Sequence, residues 1–149
     1  MNNKRGITLL ELLVTISLIS ISATVVLSAI NSAEQRKKIR DVERLSDISI
    51  IFGAVETFWV DMKRLPGEAD MTYTSKEQEN EFWQEIEKYL PTQLADPTNE
   101  GTFVYRYRHE GTFYELDCMV ESEGGLIEAR SDGGSDDTRF EVGADLSIL

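Results

Sequence analysis

One carboxylate stands out by its surroundings. Glu11 lies in the run Ile7–Ile30, 24 residues without Pro, Gly, Lys, Arg or Asp, of which fourteen are Leu, Ile or Val and seven are Ser or Thr. A charge at the centre of a membrane helix costs about 2.5–3.5 kcal/mol, so an acid kept in such a run marks a function. The chemistry open to it is pairing, because a lone charge away from water is disfavoured until a cation meets it. Other reactive types are scattered. His109 sits beside Glu110 in a predicted hairpin turn; a nucleophilic triad on it needs a positioned Ser that nothing suggests, so a solvated turn residue is expected. Glu115 and Asp117 share one face of a predicted strand, opposite Cys118, and are expected to be solvated rather than an acid/base pair. Asp132-Gly133-Gly134-Ser135-Asp136-Asp137 holds oxygen ligands for calcium, but not at EF-hand spacing, and Asp and Gly also suit a tight turn. There is no phosphate loop, dinucleotide fingerprint or Cys/His cluster. The expectation is therefore no metal, no cofactor and no enzymatic activity.

The elements that must position Glu11 follow from periodicity. As a helix, the run Ile7–Ile30 is roughly 36 Å long, enough to cross a hydrocarbon core of about 30 Å. Its Leu, Ile and Val contribute roughly −4 to −8 kcal/mol, set against Glu11 and the hydroxyls, which makes a marginal span. The helical pattern continues as an apolar stripe through Val42, Leu45, Ile48, Phe52, Val55, Trp59 and Met62, to end near Arg64 at Leu65-Pro66-Gly67. Gly53 inside it predicts close packing on a sheet. Residues 67–74 read as loop. Ser75 with Gln78 has capping-box spacing for a short helix with Phe82, Trp83, Ile86, Tyr89 and Leu90 on one face. Thr102–Arg108 and Thr112–Glu121 alternate as strands of a hairpin, and Leu126–Ala129 and Arg139–Val142 are further short strand candidates. The class is α+β: a long N-terminal helix, half membrane and half amphipathic, packed on a small, mostly antiparallel β-sheet.

Lys4-Arg5-Gly6 followed by Ile7-Thr8-Leu9-Leu10-Glu11 resembles the N-terminus of type IV pilins and type II secretion pseudopilins. That family has a short basic leader ending in Gly, then an apolar helix with Glu as its fifth residue. The resemblance implies cleavage after Gly6 by a prepilin peptidase, methylation of the new amine on Ile7, and pairing of Glu11 with the N-terminal amine of a neighbouring subunit during filament assembly. It implies a leader at 1–6, a transmembrane and assembly half-helix at 7–30, and an extracytoplasmic α+β part at 31–149. It also implies an inner-membrane location, an assembly platform, and identical or related pilin subunits as partners. Leu65-Pro66, Tyr89-Leu90-Pro91, Asp96-Pro97 and Tyr105-Arg106-Tyr107 follow in the order seen in major pseudopilins. Val142-Gly143-Ala144-Asp145 looks like the segment that leads into their calcium-binding loop, which is missing here. Ser20 and Ser28 stand where many members have Gly and Pro, which implies a straighter span.

Bulk properties narrow the alternatives. The net charge is −12 and concentrated: residues 68–100 hold nine acids and two bases, residues 114–137 eight acids and one base. An acidic chain with no basic stripe argues against a nucleic-acid partner. The single cysteine, Cys118, has no intramolecular partner and reads as a buried structural thiol. A secretory signal peptide would have a shorter apolar region and a small-x-small site. Arg36, Lys37, Lys38 and Arg40 follow the span, and the positive-inside rule alone would put them in the cytoplasm; the opposite topology comes from the resemblance. The alternative to a filament subunit is a single-pass anchored binding module that never polymerises.

Overall fold

The computed structural model describes residues 7–149. In chain order the elements are α1 (Leu9–Met62), β1 (Thr72–Thr74), α2 (Glu81–Ile86) with a 3-10 turn at Glu87–Tyr89, β2 (Tyr105–Glu110), β3 (Phe113–Met119), α3 (Glu123–Ser131) and β4 (Arg139–Gly143). The strands form one antiparallel sheet in the order β1-β2-β3-β4. The class is α+β, as the sequence leads one to expect. Contacts divide the chain into two units, residues 1–36 and 37–149, and α1 contributes to both.

In the second unit, the sheet turns one face to the inner side of α1. Ile48, Ile51, Val55 and Phe58 of α1 are buried with Tyr105, Tyr107, Leu116 and Cys118 of the sheet. From α2, Phe82 stacks on Tyr107 at 4.1 Å between ring centroids, and Tyr73 of β1 stacks on Phe82 at 5.7 Å. Hydroxyls fix the register of helix on sheet: Tyr105 donates to Asp47 at 2.8 Å, and Tyr114 donates to Glu56. The hairpin between β2 and β3 pairs Glu110 with Phe113, leaving a loop of Gly111 and Thr112, and Gly111 takes the positive φ of 60° that so short a loop requires.

The buried stripe of α1 differs from the expected one. It runs Asp41, Arg44, Ile48, Ile51, Val55, Phe58, while Val42 and Met62 are exposed. Two of its members are charged, so hydropathy alone rotates the stripe away from them. Arg44 is fully buried. Its guanidinium donates to Asp96 at 2.6 and 3.1 Å, to Asp41 at 2.8 Å and to Glu121 at 2.7 Å, and lies 4.8 Å from the centroid of the Phe103 ring. Arg40 adds a two-pronged pair to Glu121 at 2.6 and 2.7 Å. Asp41 accepts from the backbone N–H of Glu121 and Ser122 and from the Ser122 hydroxyl. This network joins α1 to the 96–98 turn and to the start of α3.

Other expectations are corrected. Gly53 is exposed and has open space where a Cβ would stand, so packing on the sheet does not explain it. Gly53→Ala should raise the stability of the second unit by about 1 kcal/mol, read by urea unfolding; a loss would mean the position is filled. The helix ends two residues before Arg64, with Lys63 at φ 57° closing it. The expected loop 67–74 contains β1, whose Tyr73 pairs with Tyr107. Asn80, not Ser75, caps α2, accepting from the Trp83 N–H at 3.2 Å; Ser75 instead continues the sheet edge, its N–H bonding the Tyr105 carbonyl. Leu126–Ala129 is part of a helix, α3, capped by Ser122, which accepts from the Gly125 N–H at 3.0 Å. Only Gly fits at 125, since a Cβ there would meet Asp41 and lie 2.9 Å from Val120 Cβ.

Candidate processing and assembly site

Glu11 is placed by the way α1 begins. Thr8 precedes the first helical residue, and its Oγ1 accepts from the Glu11 N–H at 3.2 Å while its carbonyl accepts from Leu12 N–H at 3.1 Å. Thr8-Leu9-Leu10-Glu11 thus has the spacing of a capping box, with Glu11 third in the helix, and Ile7 and Leu12 hold the two positions of a hydrophobic staple. A carboxylate in the first turn of a helix is favoured by the exposed N–H groups there, by about 0.3–1 kcal/mol at an exposed site. The cap fixes the helix start at Leu9, two residues beyond Ile7, and so sets Glu11 on the first turn rather than deeper. Gly6, the other residue expected to take part in processing, lies outside the described residues.

Ile7 through Leu27 are exposed, Ile7 itself 76% and Leu9 78%. α1 is long and apolar enough to cross a membrane. The hydroxyls of this stretch are turned inward on the helix. Thr15, Ser17, Ser20, Ser22 and Thr24 each donate to a carbonyl three or four residues earlier, at 2.7–2.9 Å. Their donors are therefore satisfied without water, and the surface they present is nearly apolar. Glu11 is the one formal charge between Ile7 and Ala33.

The remaining candidates lie elsewhere and are otherwise engaged. His109 belongs to β2 and is buried, with Nε2 3.3 Å from the Gly67 carbonyl oxygen; the turn begins two residues later than expected, at Gly111. Glu115 and Asp117 are fully buried, contrary to expectation, because the 132–138 turn and the C-terminal residues cover that face. Asp117 pairs with Arg139 at 2.6 Å and with Arg106. Cys118 is buried at the centre of the core, and burial pushes its thiol pKa well up. In the acidic turn, Asp132 accepts from the N–H groups of Gly134 and Glu141, and Asp136 accepts from Thr138. Among the described residues no group of three or more His, Cys, Asp or Glu is arranged to hold a metal ion. A cavity of about 340 Å³ lies between α2 and the segment after it, lined by Gln78, Trp83, Gln84, Glu87, Leu90 and Thr92.

Sequence reasoning missed the Thr8 cap, though its three-residue spacing to Glu11 is a signal that could have found it. The Arg40–Arg44–Asp41–Asp96–Glu121 network carries no such signal, since its members are spread over eighty positions. Comparison with known proteins gives the same emphasis. No curated protein and no solved structure matches the chain. The family model described as the prokaryotic N-terminal methylation motif matches residues 1–27. Residues 1–27, through Glu11 and most of the apolar run, thus match the N-terminal methylation signal found in type IV pilins and pseudopilins.

Proposed function

We propose that the chain is a structural subunit of a type IV pilus-like or type II secretion pseudopilus filament. A prepilin peptidase cuts between Gly6 and Ile7 and methylates the new amine. The subunit waits in the inner membrane through its single apolar helix, with the second unit on the extracytoplasmic side, and an assembly platform then moves it into the filament. There Glu11 meets the Ile7 amine of a neighbouring pilin subunit. The observation that carries this reading is the methylation motif itself, with Glu11 held on the first turn of a helix that has no other charged residue before Glu34.

Two features of α1 support it. The hydroxyls of Thr15, Ser17, Ser20, Ser22 and Thr24 are satisfied within the helix, so the surface there can exchange lipid for protein without stranding those donors. Farther along, Ile39, Val42, Ser46, Ser49, Gly53, Thr57 and Val60 form an exposed stripe without a charge, opposite the buried one. Ser49 and Thr57 on it also donate to carbonyls of their own helix, at 2.8 and 2.7 Å. Mass spectrometry of the native protein should find an N-terminus at Ile7 carrying one methyl group. Met1 retained, or a start beyond Ala29, would leave a plain anchor or a secretory signal instead.

A further inference from the structure

The outer face of the sheet buries two acids that form no salt bridge among the described residues. Glu115 of β3 is fully buried and Glu141 of β4 nearly so, and the register, with Glu115 opposite Gly143 and Asp117 opposite Glu141, makes them diagonal neighbours on adjacent strands; Glu141 also accepts from the Asp136 N–H at 3.2 Å. Glu115 Oε2 accepts from the N–H groups of Ile148 at 2.8 Å and Leu149 at 2.9 Å, while Oε1 is buried with no donor. The cations nearby make their hydrogen bonds to other acids. On β2, Arg108 stands directly across from Glu115 and bonds Glu110 at 2.7 Å, with its Nε buried and unpartnered, and Arg106 bonds Asp117. Arg139 of β4 also bonds Asp117. In the turn, Asp132 and Asp136 accept from backbone N–H groups, and Asp137 adds only a further negative charge. Asp145, in the segment after β4, accepts from Ser147.

Two adjacent carboxylates in a dry site do not both ionise; one proton is held between them. We propose that Glu115 and Glu141 share a proton that latches residues 147–149 onto the sheet, and that losing it frees those residues. In the latched state Glu115 Oε1–H donates to Glu141, and Oε2 accepts the two amides. An ionised Glu115 would bind the amides more strongly, but it would also bury a second charge beside Glu141. The balance favours the proton: burial first, with Glu141 adding to it and the Ile148 and Leu149 amides opposing it, pushes the Glu115 pKa up to about 7. The folded value therefore lies above the ordinary 4.5, so the latch is complete below the ordinary value and is lost as pH rises through about 7. Ala144 and Asp145 keep their N–H bonds to the Tyr114 carbonyl and serve as the hinge. Gly143 allows that close approach, since a Cβ there would strike Tyr114 O and stand 2.9 Å from Glu115 Cα.

Amide hydrogen exchange of the full chain in detergent, compared at about pH 5.5 and about pH 8.5 after correction for intrinsic rates, tests the latch. Protection of Ile148 and Leu149 should fall about tenfold or more, while Leu116 and Cys118 keep theirs. Glu115→Gln, whose amide can donate to Glu141 and whose oxygen can still accept, should keep protection at both pH values. Unchanged protection in the unsubstituted protein, or a loss that persists in Glu115→Gln, would overturn the proposal. So would restoration by calcium at the higher pH, which would make the bridge a cation rather than a proton. Should the variant fail to fold, the carboxyl carbon of Glu115 can be titrated directly by NMR. A midpoint near 7 supports the latch, and one near 4.5 refutes it.

Discussion

Replacing Arg44 with methionine is expected to remove about 3–5 kcal/mol from the stability of the second unit. The residue is fully buried and is the hub on which Asp96, Asp41 and Glu121 converge. Methionine approximates the volume of the stem and removes the charge. Glu121 keeps Arg40, but Asp96 is left as a buried carboxylate with only Thr98 and Asn99 as donors. Since a small domain is stable by about 5–15 kcal/mol, the loss is a large share of the total. Arg44→Lys should fall between, because an ammonium keeps the charge but cannot form the two-pronged pair with Asp96. Urea unfolding of a fragment beginning near Glu34 measures both. A loss below about 1 kcal/mol for the methionine variant would mean that the network is well hydrated and contributes little.

The same network sets the acid side of the stability profile. Hydrogen bonds from Arg40 and then Arg44 hold Glu121 down to about 2, against an ordinary 4.5. A depressed carboxylate stabilises above its ordinary value and loses that contribution as pH falls through the depressed one. Glu115 acts in the opposite direction, so the two acids bound the window from either side.

Legibility in the sequence follows the range of the interactions. The span and the β2–β3 hairpin depend on neighbours within a few residues and are read correctly, and the capping spacing at Thr8 and Glu11, of the same short range, went unread. α3 was misread as a strand because Leu126-Ile127-Glu128-Ala129 is too short to show its period, and Gly124-Gly125 ahead of it suggests a turn. The second glycine is there for a distant reason, contact with Asp41. Alternation correctly sets Glu115 and Asp117 opposite Cys118, yet says nothing of what covers that face. Residues 20 to 35 positions away do so. Arg44 and Asp41 read as solvent-facing by type, and only the return of the 96–98 turn and of Glu121 to α1 makes them interior.

Glu11→Leu should leave membrane insertion intact and block entry of this subunit into filaments. In the bilayer, Glu11 lies on the first turn, within about 6 Å along the axis of the processed end, so water or headgroups reach it and its cost there is small. Inside a filament that water is gone, and a lone buried charge is disfavoured by several kcal/mol. Under the proposed function, the amine made at Ile7 is the cation that every processed subunit would carry at that depth. Pairing Glu11 of one subunit with Ile7 of the next removes two unpaired charges together and fixes the axial offset, since other registers leave both unmatched. Leucine removes the carboxylate and leaves the neighbour's amine without a partner, so association loses both its register and one of its largest single terms. Aspartate, shorter by a methylene, should incorporate at an intermediate level.

The central claim is tested most directly by the partition of this chain between sheared surface filaments and membranes, compared for the unsubstituted protein and Glu11→Leu in the same cells. The account predicts the unsubstituted chain in the filament fraction and Glu11→Leu confined to the membrane, correctly cut before Ile7. Equal recovery of the two in filaments would contradict it.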